Sequence, residues 1–260
     1  MNRLLVAALA AGTVRAVLPA LRRRPPGGAR VWDRTNHAGR TVSLLEGPAV
    51  VAGCASVLVV SPTAAAAAVG GGALGLLDDL AGGAGSKGLK GHLGALRRGE
   101  VTTGAVKVLG LGVVGVLAAG SVDRGRWGGS TLAGAGLVAG GANLLNLFDL
   151  RPGRALKVTL LLGLPSAAAG SGVSAGVVGA GLAALPEDLQ GRTMMGDTGA
   201  NALGALVGTA LVEQLGARAR WTALAVVVAL TLASERVSFS AVIARTPGLR
   251  ELDAWGRPRS

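Results

Sequence analysis

The sequence predicts an all-α fold, a polytopic integral membrane protein of about nine transmembrane helices with the N-terminus outside and the C-terminus inside. Three observations predict it. Half of the 260 residues are hydrophobic, and the mean hydropathy is +0.52. Charged residues are 15% of the chain, against roughly 25% in soluble domains, and they fall between the apolar runs. Glycine occurs 44 times and tyrosine is absent, which suits helices that approach closely through small residues and does not suit a soluble α/β core.

The formal net charge is +12 and the sequence pI is near 11.6. In a soluble protein this would suggest nucleic acid. Here the basic residues lie in the loops, so no nucleic-acid partner is expected; the charge points to membrane orientation and to anionic lipid or phosphate ligands. The one cysteine, Cys54, allows no intramolecular disulfide and reads as a buried, inert thiol. The first apolar run has no clear small-x-small cleavage site before its arginines and is expected to be a retained span.

Span one covers 3–21, with Arg15 inside it either snorkelling or facing the bundle interior, and Arg22-Arg23-Arg24 ends it. Loop 22–46 follows, opening with Pro25-Pro26-Gly27-Gly28, which argues against a continuous helix. Span two is about 47–60 and stops at Ser61-Pro62; span three is about 63–77 and ends at Asp78-Asp79. Both are short for a bilayer core of about 30 Å. The polar segment 78–103, span four at 104–120, a small loop at 121–129 and span five at 130–148 come next. After loop 149–157, spans six and seven lie between 155 and 186, turning at Pro165-Ser166 and Gly170-Ser171-Gly172. Loop 186–197, span eight at 196–212, span nine at 220–242 and a basic tail at 243–260 complete one membrane domain of 260 residues.

With the loop after span one inside, 20 of the 26 Lys and Arg residues lie on the inner side. The positive-inside rule prefers this orientation. It also brings Asp78, Asp79, Asn143, Asn146, Asp149 and Asp197 to the cytoplasmic face of a plasma (inner) membrane, although orientation is set by Lys and Arg alone.

That convergence has a chemical reading. A carboxylate in hydrocarbon costs on the order of 3 kcal/mol, so Asp78-Asp79 marks a membrane surface. Adjacent carboxylates repel unless a cation lies between them, and a divalent ion carrying substrate phosphates is the usual solution. Carboxylates at three helix ends can hold Mg²⁺, with Mn²⁺ as a substitute. The basic set Lys87, Lys90, Arg97, Arg98 and Lys107 can neutralise a diphosphate as a phosphorus–oxygen bond breaks. Asp197 opens a helix between glycines, where free amides favour an anion. His37 and His92 are loop histidines that could contact substrate. Each piece has a plainer reading as a solvated helix end, interhelical glue, an Asp cap or a topology signal; their conjunction on one face is harder to explain that way.

Three stretches carry a family resemblance. "GLLDDLAG" at 75–82, "NLLNLFD" at 143–149 and "MGDTGANALG" at 195–204 resemble, in order and spacing, the motifs of the polyprenyl-phosphate N-acetylhexosamine-1-phosphate transferases, the MraY/WecA-like enzymes of glycosyltransferase family 4. The resemblance implies a Mg²⁺-dependent enzyme of bacterial cell-envelope glycan synthesis. A polyprenyl phosphate would attack a UDP-N-acetylamino sugar, giving polyprenyl-diphosphate-sugar and UMP. It implies Asp78, Asp79 and Asp149 as catalytic residues and Asp197 with Asp79 as metal ligands. Asn146 and Asp149 would lie in the nucleotide-diphosphate region. Charge and position add Lys87, Lys90 and Lys107 as candidates for phosphate contact, and Asn143, His92 and His37 are further candidates for substrate contact. A homodimer is one assembly open to it. Pro152 stands where the family places a second Asp, and no His-rich late loop is present. Two alternatives stay open: a homologue that has lost chemistry and binds lipid phosphate or a partner enzyme, and an unrelated transporter.

Overall fold

The computed structural model describes residues 1–35, 39–81 and 102–258. Helix α1 (Arg3–Arg23) starts where the Asn2 side chain accepts the Leu4 amide at 2.9 Å. Val6, Ala10, Val14 and Leu18 recur every fourth residue and form its one buried stripe. Arg15 is exposed on the outer side of α1, so of its two expected places the bundle interior is excluded.

Loop 22–46 is the first departure from the all-α expectation. A short helix, α2 (Ala29–Trp32), leads into an antiparallel hairpin of β1 (Asp33–Thr35) and β2 (Thr41–Ser43). Thr35, Thr41 and Val42 are β-branched and favour extended backbone. The open edge is covered: Ser43 N–H donates to the Arg192 carbonyl at 3.3 Å, and Met194 N–H donates to the Ser43 carbonyl at 3.0 Å. Short apolar runs give little warning of such long-range pairing.

Helix α3 (Glu46–Ala55) tightens into a 3₁₀ turn at Ser56–Val59. Helix α4 (Pro62–Ala81) is capped by Ser61, whose hydroxyl accepts the Ala64 amide at 3.2 Å. It runs past the expected end, so Asp78 and Asp79 sit in its last turn. Helices α5 (Thr103–Val122), α6 (Gly129–Phe148), α7 (Arg154–Ala168), α8 (Gly172–Leu189), α9 (Gly196–Gln214) and α10 (Ala217–Ser234) follow. The expected span nine, 220–242, is shorter than read: α10 stops at Ser234, and α11 (Phe239–Arg245) and α12 (Leu249–Ala254) fold separately. Ser238 starts α11 by accepting the Ala241 amide at 3.4 Å, a local bond that competes with continuing α10.

The protein is mostly helical, and five described helices (α1, α4, α5, α6 and α10) are long and apolar enough to cross a membrane. The centre of the bundle is α9, buried along almost its whole length between α4, α6 and α3. It carries Thr198, Asn201 and Thr209, tolerable because protein surrounds it. Its approach to α6 is close: a Cβ on Gly204 would lie 2.4 Å from the Gly141 carbonyl oxygen, so only glycine fits at this crossing. Helix α8 packs along α1 and α7, and α10 lies against α6 with nearly all its surface turned outward.

At the opposite end of the bundle from α4's aspartates, Arg220 is buried. It donates to both carboxylate oxygens of Asp123 at 3.0 Å and to the Val212 carbonyl at 2.6 Å. Arg220 is thus a clamp between loop 121–129 and the start of α10.

Candidate active site

The site is built where four helix ends meet: the C-termini of α4 and α6 and the N-termini of α5 and α9. A Cβ on Gly75 would lie 2.2 Å from the Asp197 carbonyl oxygen, so α4 touches the first turn of α9 backbone to backbone. One turn later, Asp79 reaches the free amides of that turn. Its carboxylate accepts from Asp197 N–H at 3.1 Å, Thr198 N–H at 2.9 Å and the Thr198 hydroxyl at 2.6 Å. These donors have no partner within α9, and a negative charge at a helix N-terminus is favoured by the peptide dipoles. Asp79 is therefore the cap of α9, supplied from another helix. Arg34, from the hairpin, donates to the Asp79 carbonyl at 2.6 Å.

Asp78 points differently. Lys107, in the second turn of α5, donates to Asp78 Oδ2 at 2.7 Å and to Asp197 Oδ2 at very short range. Its ammonium thus lies between two carboxylates that would otherwise repel each other. All three side chains are about four-fifths buried or more, which strengthens both the attraction and the penalty for removing either sign.

Asp149 follows the last residue of α6. Its Oδ2 is buried and has no hydrogen-bond partner among the described residues. Burial pushes its carboxyl well above the usual range, and the charges of Asp188, Asp197 and Asp79 push it further. Asn143 and Asn146 lie on the preceding turns of α6, half-buried. The turn after Asp149 is held by Asp188, whose carboxylate accepts the Gly153 amide at 2.9 Å. Pro152 lies in this turn, and its carbonyl accepts from Arg257 at 2.8 Å.

The structure thus brings Asp78, Asp79, Asp149, Asp197 and Lys107 to one end of the bundle. His37, Lys87, Lys90 and His92 lie outside the described residues. Several contributors escape the sequence reading. Arg34 and the Glu46–Thr193 hydrogen bond, which ties α3 to the entry of α9, carry no motif. Asn201, one turn after Asp197, is fully buried with neither amide atom partnered; its place in "GDTGAN" was the one signal available.

Among the described residues, no three His, Cys, Asp or Glu side chains are grouped to hold a metal on their own. Mg²⁺ needs fewer, since it takes one or two carboxylates and completes its shell with water and substrate phosphates. The convergence of Asp78 and Asp197 on a single cation fits that donor set. Asp79 has both oxygens engaged in the helix cap, which makes it the positioner of Asp197 in this arrangement.

No protein-family model and no curated protein matches this chain.

Proposed function

We propose that the chain is a membrane-bound sugar-phosphate transferase. It takes a UDP-N-acetylamino sugar and a polyprenyl phosphate and gives polyprenyl-diphosphate-sugar and UMP. A lipid phosphate oxygen forms the new bond to the sugar-bearing β-phosphorus, and the bond from that phosphorus to UMP breaks. The observation that carries the reading is the convergence of Asp78 and Asp197 on Lys107, with Asp79 fixing the helix start from which Asp197 projects. Mg²⁺ held by Asp78 and Asp197 would neutralise the diphosphate. Lys107 supplies a second positive charge beside them. Asn143, Asn146 and Asp149, at the adjacent helix end, are assigned to the nucleotide diphosphate.

A further feature supports a lipid acceptor. A small apolar cleft of about 60 Å³ lies between α6, α7, α9 and α10, lined by residues including Leu144, Phe148, Val158, Leu162, Leu211 and Val227. Phe148 adjoins Asp149, so an isoprenoid tail in the cleft would leave its phosphate near the carboxylates. The reading takes the chain to cross a plasma membrane about nine times, N-terminus out, with this end of the bundle in the cytoplasm.

The test is UMP release from purified protein with polyprenyl phosphate, Mg²⁺ and a panel of UDP-sugars. Release with one sugar, abolished by chelation and by Asp78→Asn or Asp197→Asn in folded protein, is expected. Unchanged turnover in both variants would remove the site assignment. A second reading has one observation in its favour. Pro152, where the resembled family has an Asp, has its carbonyl tied to the C-terminal tail, which suits a homologue that binds lipid phosphate without turnover. Lipid binding with no UMP from any sugar would select it.

A further inference from the structure

The segment after α10 has two dissimilar sides. One is tied to the start of α7 and the end of α6, which flank the loop carrying Asp149. Arg154 donates to the Asp253 carboxylate at 2.7 and 3.0 Å and to the Ser240 hydroxyl at 2.7 Å. Lys157 donates to the carbonyls of Leu252, Asp253 and Trp255 at 3.0, 2.8 and 2.6 Å. The Phe239 ring stacks on Phe148 at 5.0 Å.

The other side is apolar and uncovered. Val237, Val242, Leu249, Leu252 and Trp255 are all exposed, Leu252 at 66% and Trp255 at 70%. Arg236 and Arg245 are exposed among them. Arg250 is paired with Glu251 at 2.7 Å and adds no net charge.

The position of the segment says what covers this side. Of the 18 residues of α10 only Arg220 is buried within the protein, so nearly the whole helix is available to lipid. It ends at Ser234, two residues before Arg236. The segment therefore begins where a span ends. Aliphatic side chains and a tryptophan interleaved with arginines are the chemistry of a bilayer interface. The apolar parts enter the acyl boundary, the indole sits at headgroup level, and the guanidiniums meet lipid phosphates.

We propose that residues 235–257 are an interfacial arm that binds the surface of an anionic phospholipid bilayer and links that surface to the loop carrying Asp149. The proposal rests on α10 crossing the bilayer and not on the transferase reaction. Each arginine near an anionic surface favours the docked arm roughly fivefold.

The test uses the full chain in nanodiscs of phosphatidylcholine, with or without roughly a third phosphatidylglycerol. A nitroxide is attached at Leu252→Cys, and in a separate protein at Val228→Cys on the exposed side of α10; Cys54 is buried and does not compete. Collision with oxygen against a water-soluble nickel chelate reports depth. The expected result is a lipid-embedded label at 228 in both discs. At 252 the label should move from water toward lipid when anionic lipid is added. High salt should reverse that movement in the otherwise unaltered arm, as should the pair Arg236→Glu and Arg245→Glu. A label at 252 in water in both discs, with 228 in lipid, overturns the arm alone. Water at both positions overturns the span and the arm together. Insertion at 252 that ignores lipid charge, salt and the arginines overturns anionic-lipid recognition.

Discussion

At the scale of single residues, the site is a balance of two carboxylates against one ammonium. Lys107→Ala leaves Asp78 and Asp197 facing each other with no cation between them. Because the pair is mostly but not wholly buried, the expected loss lies between exposed and buried pairs, about 2 kcal/mol. Thermal unfolding in detergent would read it, and adding Asp197→Asn to Lys107→Ala should recover part of the loss. The proposed transferase activity should vanish in either background. Asp149 makes a separate prediction. Its folded carboxyl titrates above the ordinary range because of burial and then its acidic neighbours. Its contribution to stability is therefore full below the ordinary carboxylate pKa and is lost as pH rises through the folded value. In chelator, the unaltered protein should lose melting temperature from acid toward neutral pH. Asp149→Asn should flatten that part of the slope, and an unchanged slope would assign it to another group.

At the scale of elements, the meeting of α4 and α9 decides whether the aspartates form a site at all. The backbones touch at Gly75, so any side chain there must push the helices apart. Gly75→Ala is expected to cost about 1–3 kcal/mol as overpacking. It should also reduce the proposed turnover beyond what stability explains, because Asp79 would lose its hold on the Asp197 and Thr198 amides. Gly112, with open space around it, is the control: Gly112→Ala on the same kind of helix should be neutral or slightly stabilising. Comparing melting temperature and turnover for the two variants separates a crowded crossing from a general intolerance of alanine.

At the scale of the whole molecule, the C-terminal segment is fastened by charge to the start of α7, beside the site loop. Burial raises Asp253, but the Arg154 and Arg257 guanidiniums outweigh it and hold the carboxyl below its usual range. The fastening is therefore present above the ordinary carboxylate pKa of about 4 and is lost as pH falls through the folded value. Asp253→Asn should release the segment at neutral pH. Limited proteolysis would then cut the tail several-fold faster, while the bundle stays intact.

Much of this architecture could be read along the chain. Apolar runs separated by basic loops mark helices and their breaks, because the cost of charge in hydrocarbon is local and depends on composition. Asp78, Asp79, Asp149 and Asp197 stand out for the same reason, since carboxylates at the ends of apolar helices have few other uses. Length and composition alone read Asp78-Asp79 as a helix stop and α10 as a longer span, and they gave no sign of the hairpin. These features depend on partners far away in sequence. Asp79 caps a helix 118 residues on, β2 pairs with residues 192–194, and Asp253 meets Arg154 across 99 positions. What the sequence determined by itself was which segments prefer helix and apolar surroundings, and which charges lie at their ends. Only the tertiary structure decided that Asp79 organises α9 while Asp78 and Asp197 share Lys107. Equivalent carboxylates take different roles according to which helix end each one reaches, and packing sets that distance.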